Sequence, residues 1–209
     1  MPGSASLLAF VAAALVVLLI PGPGVLYIVA RSLSQGQQAG FVSVLGLSVG
    51  ALVQVAAATL GLSAILLTSA TAFGIVKILG AGYLIYLGLR TLLARPTTAG
   101  GEPFVPRSLS RLFIDGVVVS VFNPKIAVFF LAFLPQFVEP SRGPVPPQVL
   151  FLGLLYVALA LFTDSGYALL AGRLRRWFGG RVVHGPIPRY ASGVVYIGLG
   201  VSTALADRH

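Results

Sequence analysis

The stretch LFIDGVVVSVFNPKIAVFFLAFLPQFV, residues 112–138, is long and apolar, and Asn123-Pro124-Lys125 interrupts it near its centre. A proline inside a helix removes a backbone hydrogen bond and clashes with the preceding turn. A lysine at that depth has no water to face. The first apolar run, residues 5–30, is broken in the same way by Pro21-Gly22-Pro23-Gly24. Two interrupted spans at matching places in two halves of a chain point to the midplane binding site of a transporter.

Working outward from these breaks, 57% of the 209 residues are hydrophobic and 9% are charged. A soluble domain carries roughly 25% charged residues. Six apolar runs, near residues 5–33, 40–67, 70–93, 111–138, 147–171 and 189–206, are each long enough to cross roughly 30 Å of hydrocarbon as helices. The expected fold is therefore an all-α integral membrane protein of six transmembrane helices, with helices 1 and 4 broken at their proline motifs. The proline- and glycine-rich stretch 94–110 reads as a linker between a first half, 1–93, and a second, 111–209, within one six-helix transporter domain. Because three spans is an odd number, two such repeats insert in opposite orientations, which gives two inverted three-helix repeats. Ala81, Tyr86, Gly88 and Leu89 match Ala191, Tyr196, Gly198 and Leu199 at one offset, in keeping with a repeat.

The net charge of +9 is distributed as a topology signal and not as a nucleic-acid-binding face. Arg173, Arg175, Arg176, Arg181 and Arg189 lie between the fifth and sixth spans, Arg90, Arg95, Arg107 and Arg111 flank the linker, and Arg31 follows the first span. Arg142 and Arg208 are on the other side, so the positive-inside rule places both termini outside the cytoplasm. No lysine or arginine precedes the first apolar stretch, which argues against a cleaved signal peptide there. The chain has no cysteine, which excludes disulfides and thiolate metal sites, and His184 and His209 lack partners at metal-ligand spacing. No metal site and no cofactor are expected.

Each break frees carbonyl groups inside the bilayer that need partners, because irregular backbone at that depth is tolerated only inside protein or beside a wet cavity. Each also starts a half-helix, with Asn123 suited to cap the one beginning at Pro124 and Gly22 a weaker cap before Pro23. The positive ends of both would then point at the bilayer centre from opposite sides and suit a carboxylate. Pro21, Gly22, Pro23, Gly24, Asn123, Pro124 and Lys125 are thus the expected substrate-binding residues.

Both lysines, Lys77 and Lys125, lie within apolar spans, whereas the arginines lie near membrane edges. A lysine at mid-helix costs about 3 kcal/mol and should find a partner inside the bundle. Asp164, in the fifth span, is the natural partner, and a carboxylate there can couple proton movement to transport. Tyr167 lies one turn away and can join the same network. Lys77, Asp164 and Tyr167 form the expected substrate and proton coupling set. Asp115 reads as a helix-start acid beside Arg111, and Gln54 as a hydrogen-bonding group toward a neighbouring helix. Small residues at helical spacing, among them Gly46 and Gly50, read as close helix packing.

Pro21-Gly22-Pro23-Gly24, the run Lys77 to Gly88, and Phe122-Asn123-Pro124-Lys125 leading to Phe133-Leu134-Pro135-Gln136-Phe137 together resemble the lysine exporter and homoserine/threonine resistance (LysE/RhtB) family of amino-acid exporters. Asp164-Ser165-Gly166-Tyr167-Ala168 resembles the fifth helix of that family. The resemblance covers nearly the whole chain. It implies six helices, export of amino acids or related small zwitterionic metabolites, coupling to the proton gradient, and a bacterial-type cytoplasmic membrane.

The expected activity is secondary transport by proton antiport, not catalysis, with the amino acid, protons and the lipid bilayer as partners. Nucleic acid is excluded, and a homo-oligomer is left open. A metal or inorganic ion exporter on the same scaffold is the alternative. An intramembrane enzyme using Asp115 and Asp164 is more remote, since Asp115 lies near the membrane edge and neither aspartate has a protease signature around it.

Overall fold

The computed structural model describes residues 2–68 and 107–178, with isolated helical positions at 75, 78, 86 and 89. Lys77, most of the third span and the whole sixth span lie outside the described residues. So do the positions that carry the internal repeat, apart from Tyr86 and Leu89. Helix α1 (Ser4–Leu19) stops at Ile20, where the backbone turns extended ahead of Pro21. Pro23 then opens α2 (Pro23–Gln35) at its first turn, where the missing N–H leaves no bond unmade. The two segments bend by 51° at the break. Helix α2 ends at Gly36, whose φ of 95° is open to glycine and strained for other residues.

Helix α3 (Gln37–Thr68) follows directly. Helix α4 (Leu109–Val121) starts at Ser108, whose side chain accepts from the Arg111 N–H, and stops just before Asn123-Pro124. Helix α5 (Pro124–Val128) passes into a π turn (Phe129–Phe133) and a 3-10 turn (Leu134–Phe137). Pro135 lacks the N–H that a regular helix would direct to Leu131, which accounts for the change of pitch. This run bends by 41° from α4. A short 3-10 turn (Pro140–Arg142) leads into α6 (Val145–Phe178).

Helices α3 and α6 are each long and apolar enough to cross a membrane, and each bent pair is so when its two segments are counted as one span. The described residues thus hold up to four spans, all helical. Bulky apolar side chains point outward around them, as with Phe162 at 81% exposure, which is the surface a lipid-facing bundle presents.

The two broken spans run antiparallel. At one end Tyr27 Oη donates to the Leu112 carbonyl (2.9 Å), and the Gln35 amide exchanges two hydrogen bonds with the Arg107 backbone (2.7 and 3.1 Å). Arg107 and Arg111 both pair with Asp115 there, so that acid is occupied structurally. At the opposite end Glu139 Oε1 accepts from Ser6 Oγ (2.5 Å) and from the Gly3 N–H (3.0 Å). Those two donors hold the Glu139 carboxyl below the usual glutamate range.

Glycines set the α3–α4 crossing. A Cβ at Gly46 would collide with the Phe113 carbonyl, and one at Gly50 would sit 2.5 Å from the Val117 carbonyl. Without a hydrophobic drive between helices in lipid, this close backbone approach is how the pair associates. Toward the Glu139 end, Phe10, Phe129, Phe133, Phe137 and Tyr156 form an aromatic core, with Phe129 and Tyr156 ring centroids 4.7 Å apart.

Candidate functional site

At both breaks, side chains from elsewhere in the fold donate to carbonyls that the prolines release, while the Val17 carbonyl accepts from the Ile20 N–H at 3.2 Å. At the first break, Lys125 Nζ from α5 donates to the Ile20 carbonyl at 2.8 Å, and Tyr167 Oη from α6 donates to Leu19 at 2.8 Å. At the second, Gln54 Nε2 from α3 donates to Ser120 (2.7 Å) and Val121 (3.1 Å), with a longer contact to Asn123 (3.4 Å). Gln54 was expected to bond a neighbouring helix. The structure adds that its targets are the carbonyls left open by Pro124. The Asn123 side chain caps α5 by accepting from the Lys125 N–H at 3.0 Å, as expected, whereas Gly22 caps α2 without a side-chain bond.

The two breaks face each other. A Cβ on Gly24 would lie 3.3 Å from Leu47 Cδ2 and 3.8 Å from Asn123 Nδ2, so glycine lets the start of α2 approach the end of α4. Between them is a cavity of about 40 Å³ whose charged lining residues are Lys125 and Asp164. Lys125 is 5% exposed and Asp164 half-buried. Their charges act on each other across the cavity, but among the described residues no ion pair within 4.0 Å joins them. The expected direct ion pair is not formed: both side chains line the cavity, and the ammonium donates to the Ile20 carbonyl instead.

Of the expected binding residues, Gly24, Asn123 and Lys125 line this cavity together with Asp164. Pro21, Gly22, Pro23 and Pro124 shape the breaks without lining it, and Tyr167 braces Leu19. Ser120 and Tyr156 also line the cavity and were not singled out from sequence. Ser120 lies one helical turn before Asn123, which was its available signal. Its hydroxyl is fully buried and has no hydrogen-bond partner among the described residues. Among the described residues no group of three His, Cys, Asp or Glu side chains could hold a metal ion.

The sequence that builds this arrangement has relatives among known proteins. A family model described as LysE type translocator matches residues 15–207. The chain belongs to the LysE type translocator family. It is a membrane transporter, not an enzyme. The translocator is 33% identical over 162 residues to a homoserine/homoserine lactone efflux protein of Salmonella typhi, covering 78% of each chain. It is 25% identical over 199 residues to a leucine efflux protein of Salmonella choleraesuis, covering 93% of this chain and 92% of that one. An uncharacterized membrane protein of Vibrio cholerae is 32% identical over 170 residues, covering 81% and 82%. No solved structure matches the translocator.

Proposed function

We propose that this translocator exports amino acids, or closely related small zwitterions, from the cytoplasm in exchange for protons across a bacterial cytoplasmic membrane. The observation that carries the reading is that Lys125 and Asp164 line one cavity at the junction of the two breaks without pairing directly. A zwitterion presents a carboxylate and an ammonium within a few ångströms, and these two side chains offer the complementary charges. The efflux relatives support the substrate class.

In this mechanism the substrate carboxylate takes the Lys125 ammonium from the Ile20 carbonyl and approaches the Asn123 amide and the start of α2 at Gly24. The substrate ammonium goes to Asp164. A proton entering from outside neutralises Asp164 and removes that attraction, so substrate leaves; loss of the proton toward the cytoplasm restores the site. Pro21, Gly22, Pro23 and Pro124 keep the two breaks open, Tyr167 steadies the first, and Lys77 is a further candidate for coupling. Small-molecule sites occupy roughly 300 Å³ or more, so the cavity of about 40 Å³ has to widen. Rocking of two inverted halves against each other provides that widening and alternates access. Substrate exchange also breaks the Lys125–Ile20 bond between the halves, linking occupancy to release of one half from the other.

The test is transport of a panel of radiolabelled amino acids in proteoliposomes, with and without an imposed pH gradient, for the intact protein and Asp164→Asn. Gradient-stimulated movement of one or a few amino acids by the intact protein, with movement weakened and its stimulation lost in Asp164→Asn, is the expected result. If no amino acid moves faster than in empty vesicles, the substrate assignment fails. Equal stimulation of both proteins defeats the role given to Asp164.

A further inference from the structure

We infer that Tyr27 and Tyr167 form the barrier between the cavity and the cytoplasm, a pair of rings latched by their hydroxyls and released when the protein opens inward. The inference goes beyond the proposed function and rests only on its alternating access.

The cavity lies between two apolar seals of unequal depth. Its lining residues Leu18, Ala51, Ile126, Tyr156 and Ala160 belong to the aromatic core on the Glu139 side. Leu47, also in the lining, belongs to a second, smaller cluster with Ile28, Val44 and Ala168. The order along the helices sets the two clusters on opposite sides of the cavity. Helix α3 runs from Gln37 through Val44 and Leu47 to Ala51, Val55 and Ala58, and α6 runs from Val145 through Tyr156 and Ala160 to Asp164 and then Ala168. The smaller cluster is on the side of Arg31, Arg107 and Arg111, which the positive-inside rule makes cytoplasmic. Among the described residues it takes up α6 from Asp164 to Ala168, about 6 Å of helix, against about 22 Å from Ala160 to Val145 for the aromatic core. Opening the shallower seal exposes less apolar surface and costs less.

Both tyrosines pack on that shallower cluster. Tyr27 Oη, from α2, donates to the Leu112 carbonyl of α4 at 2.9 Å, and Tyr167 Oη, from α6, donates to the Leu19 carbonyl of α1 at 2.8 Å. The two bonds are reciprocal: one runs from the first half of the chain to the second, the other from the second to the first. The halves therefore cannot part on this side while both bonds hold. The Arg31 guanidinium, 5.3 Å from the centroid of the Tyr27 ring, holds that ring from the basic end. The exchange between Gln35 and the Arg107 backbone closes the rim beyond it.

The chain has no cysteine, so Ser48→Cys or Ala51→Cys puts a single thiol in the cavity lining, and two reporters keep the result from resting on one substitution. Reaction with a charged, membrane-impermeant methanethiosulfonate is timed from the cytoplasmic face in inverted vesicles and from the outer face in right-side-out ones. The same measurement is made with Tyr27→Phe or Tyr167→Phe added, which keeps each ring and removes its hydroxyl. The thiol should react faster from the cytoplasmic face, and each phenylalanine should raise that rate about 3- to 10-fold, the range for one net hydrogen bond, without raising the outer rate. Faster reaction from the outer face in the parent overturns the inference, as does a cytoplasmic rate that either phenylalanine leaves unchanged. A rise from both faces alike marks a loosened fold and overturns it as well. The reaction needs no substrate, so failure of the protein to move any amino acid removes the export reading and leaves the barrier standing.

Discussion

Replacing Lys125 with methionine should leave the protein folded and stop it transporting. The residue is 5% exposed, so the charge is held away from solvent at a cost of about 3 kcal/mol on insertion scales. Against that cost stands one charge-assisted hydrogen bond of 2.8 Å to the Ile20 carbonyl, worth about 1.5–3 kcal/mol. Methionine fills similar space and removes both terms, but it leaves the Ile20 carbonyl without that donor, at a cost of about 1–3 kcal/mol. The sum puts Lys125→Met between about 0.5 kcal/mol more stable and about 3 kcal/mol less stable than the parent, a melting temperature between about 2 °C higher and about 9 °C lower for a chain of this size. Substrate binding behaves differently. Removing one partner of a desolvated charge pair costs at least about 2 kcal/mol, or roughly thirtyfold in affinity. Thermal melting in detergent and counterflow in proteoliposomes, on the same preparation, read the two effects separately. A fall of more than about 10 °C would mean that Lys125 is a structural strut. Transport within threefold of the parent would remove it from the substrate site.

Two further outcomes follow from the same geometry. Gln54→Leu removes two hydrogen bonds, those to the Val121 carbonyl and to the Ser120 carbonyl, which keeps the Asn123 N–H; at about 0.6–1.7 kcal/mol per bond in a bilayer, the loss is about 1–3 kcal/mol, and an unchanged melting temperature would show that Gln54 is dispensable to the second break. Glu139 binds its proton less readily in the folded protein than in the unfolded chain, chiefly through Ser6 and then the Gly3 N–H. The stability it adds is therefore full above the usual glutamate value and is lost as pH falls through the lower folded value. Melting curves from about pH 7 to about pH 3 should show the intact protein converging on Glu139→Gln under acid, and a gap that stays constant would refute the contribution.

The breaks were legible in the sequence because their causes are local. Proline lacks an N–H, asparagine caps, and glycine yields, wherever in the fold they occur. The antiparallel crossing was legible through the parity of the spans. The rotation of each helix was not, because spans such as α3 are apolar nearly all round and give no phase to read. Hence Gln54 could be assigned to a neighbouring helix but not to the carbonyls before Pro124. Lys125 and Asp164 could be expected in one place, but not that the lysine would bond the Ile20 carbonyl in place of the carboxylate. Ser120 escaped notice for a related reason: a serine among valines in a membrane helix ordinarily bonds back to its own turn, as Ser43 and Ser48 do. Only the three-dimensional structure reveals that its hydroxyl does not.

The bracing of each break by distant side chains has a consequence for biogenesis. The Ile20 carbonyl receives its donor from a residue 105 positions later, and the Leu19 carbonyl from one 148 positions later. At synthesis rates of roughly 5–20 residues per second, the first span waits about 5–20 s for Lys125 to be made. During that interval its open backbone needs water or the insertion machinery as a stand-in. The nascent chain therefore enters the membrane with a defect that its own later half repairs, and completion of the fifth span is the step that commits the first to the lipid phase.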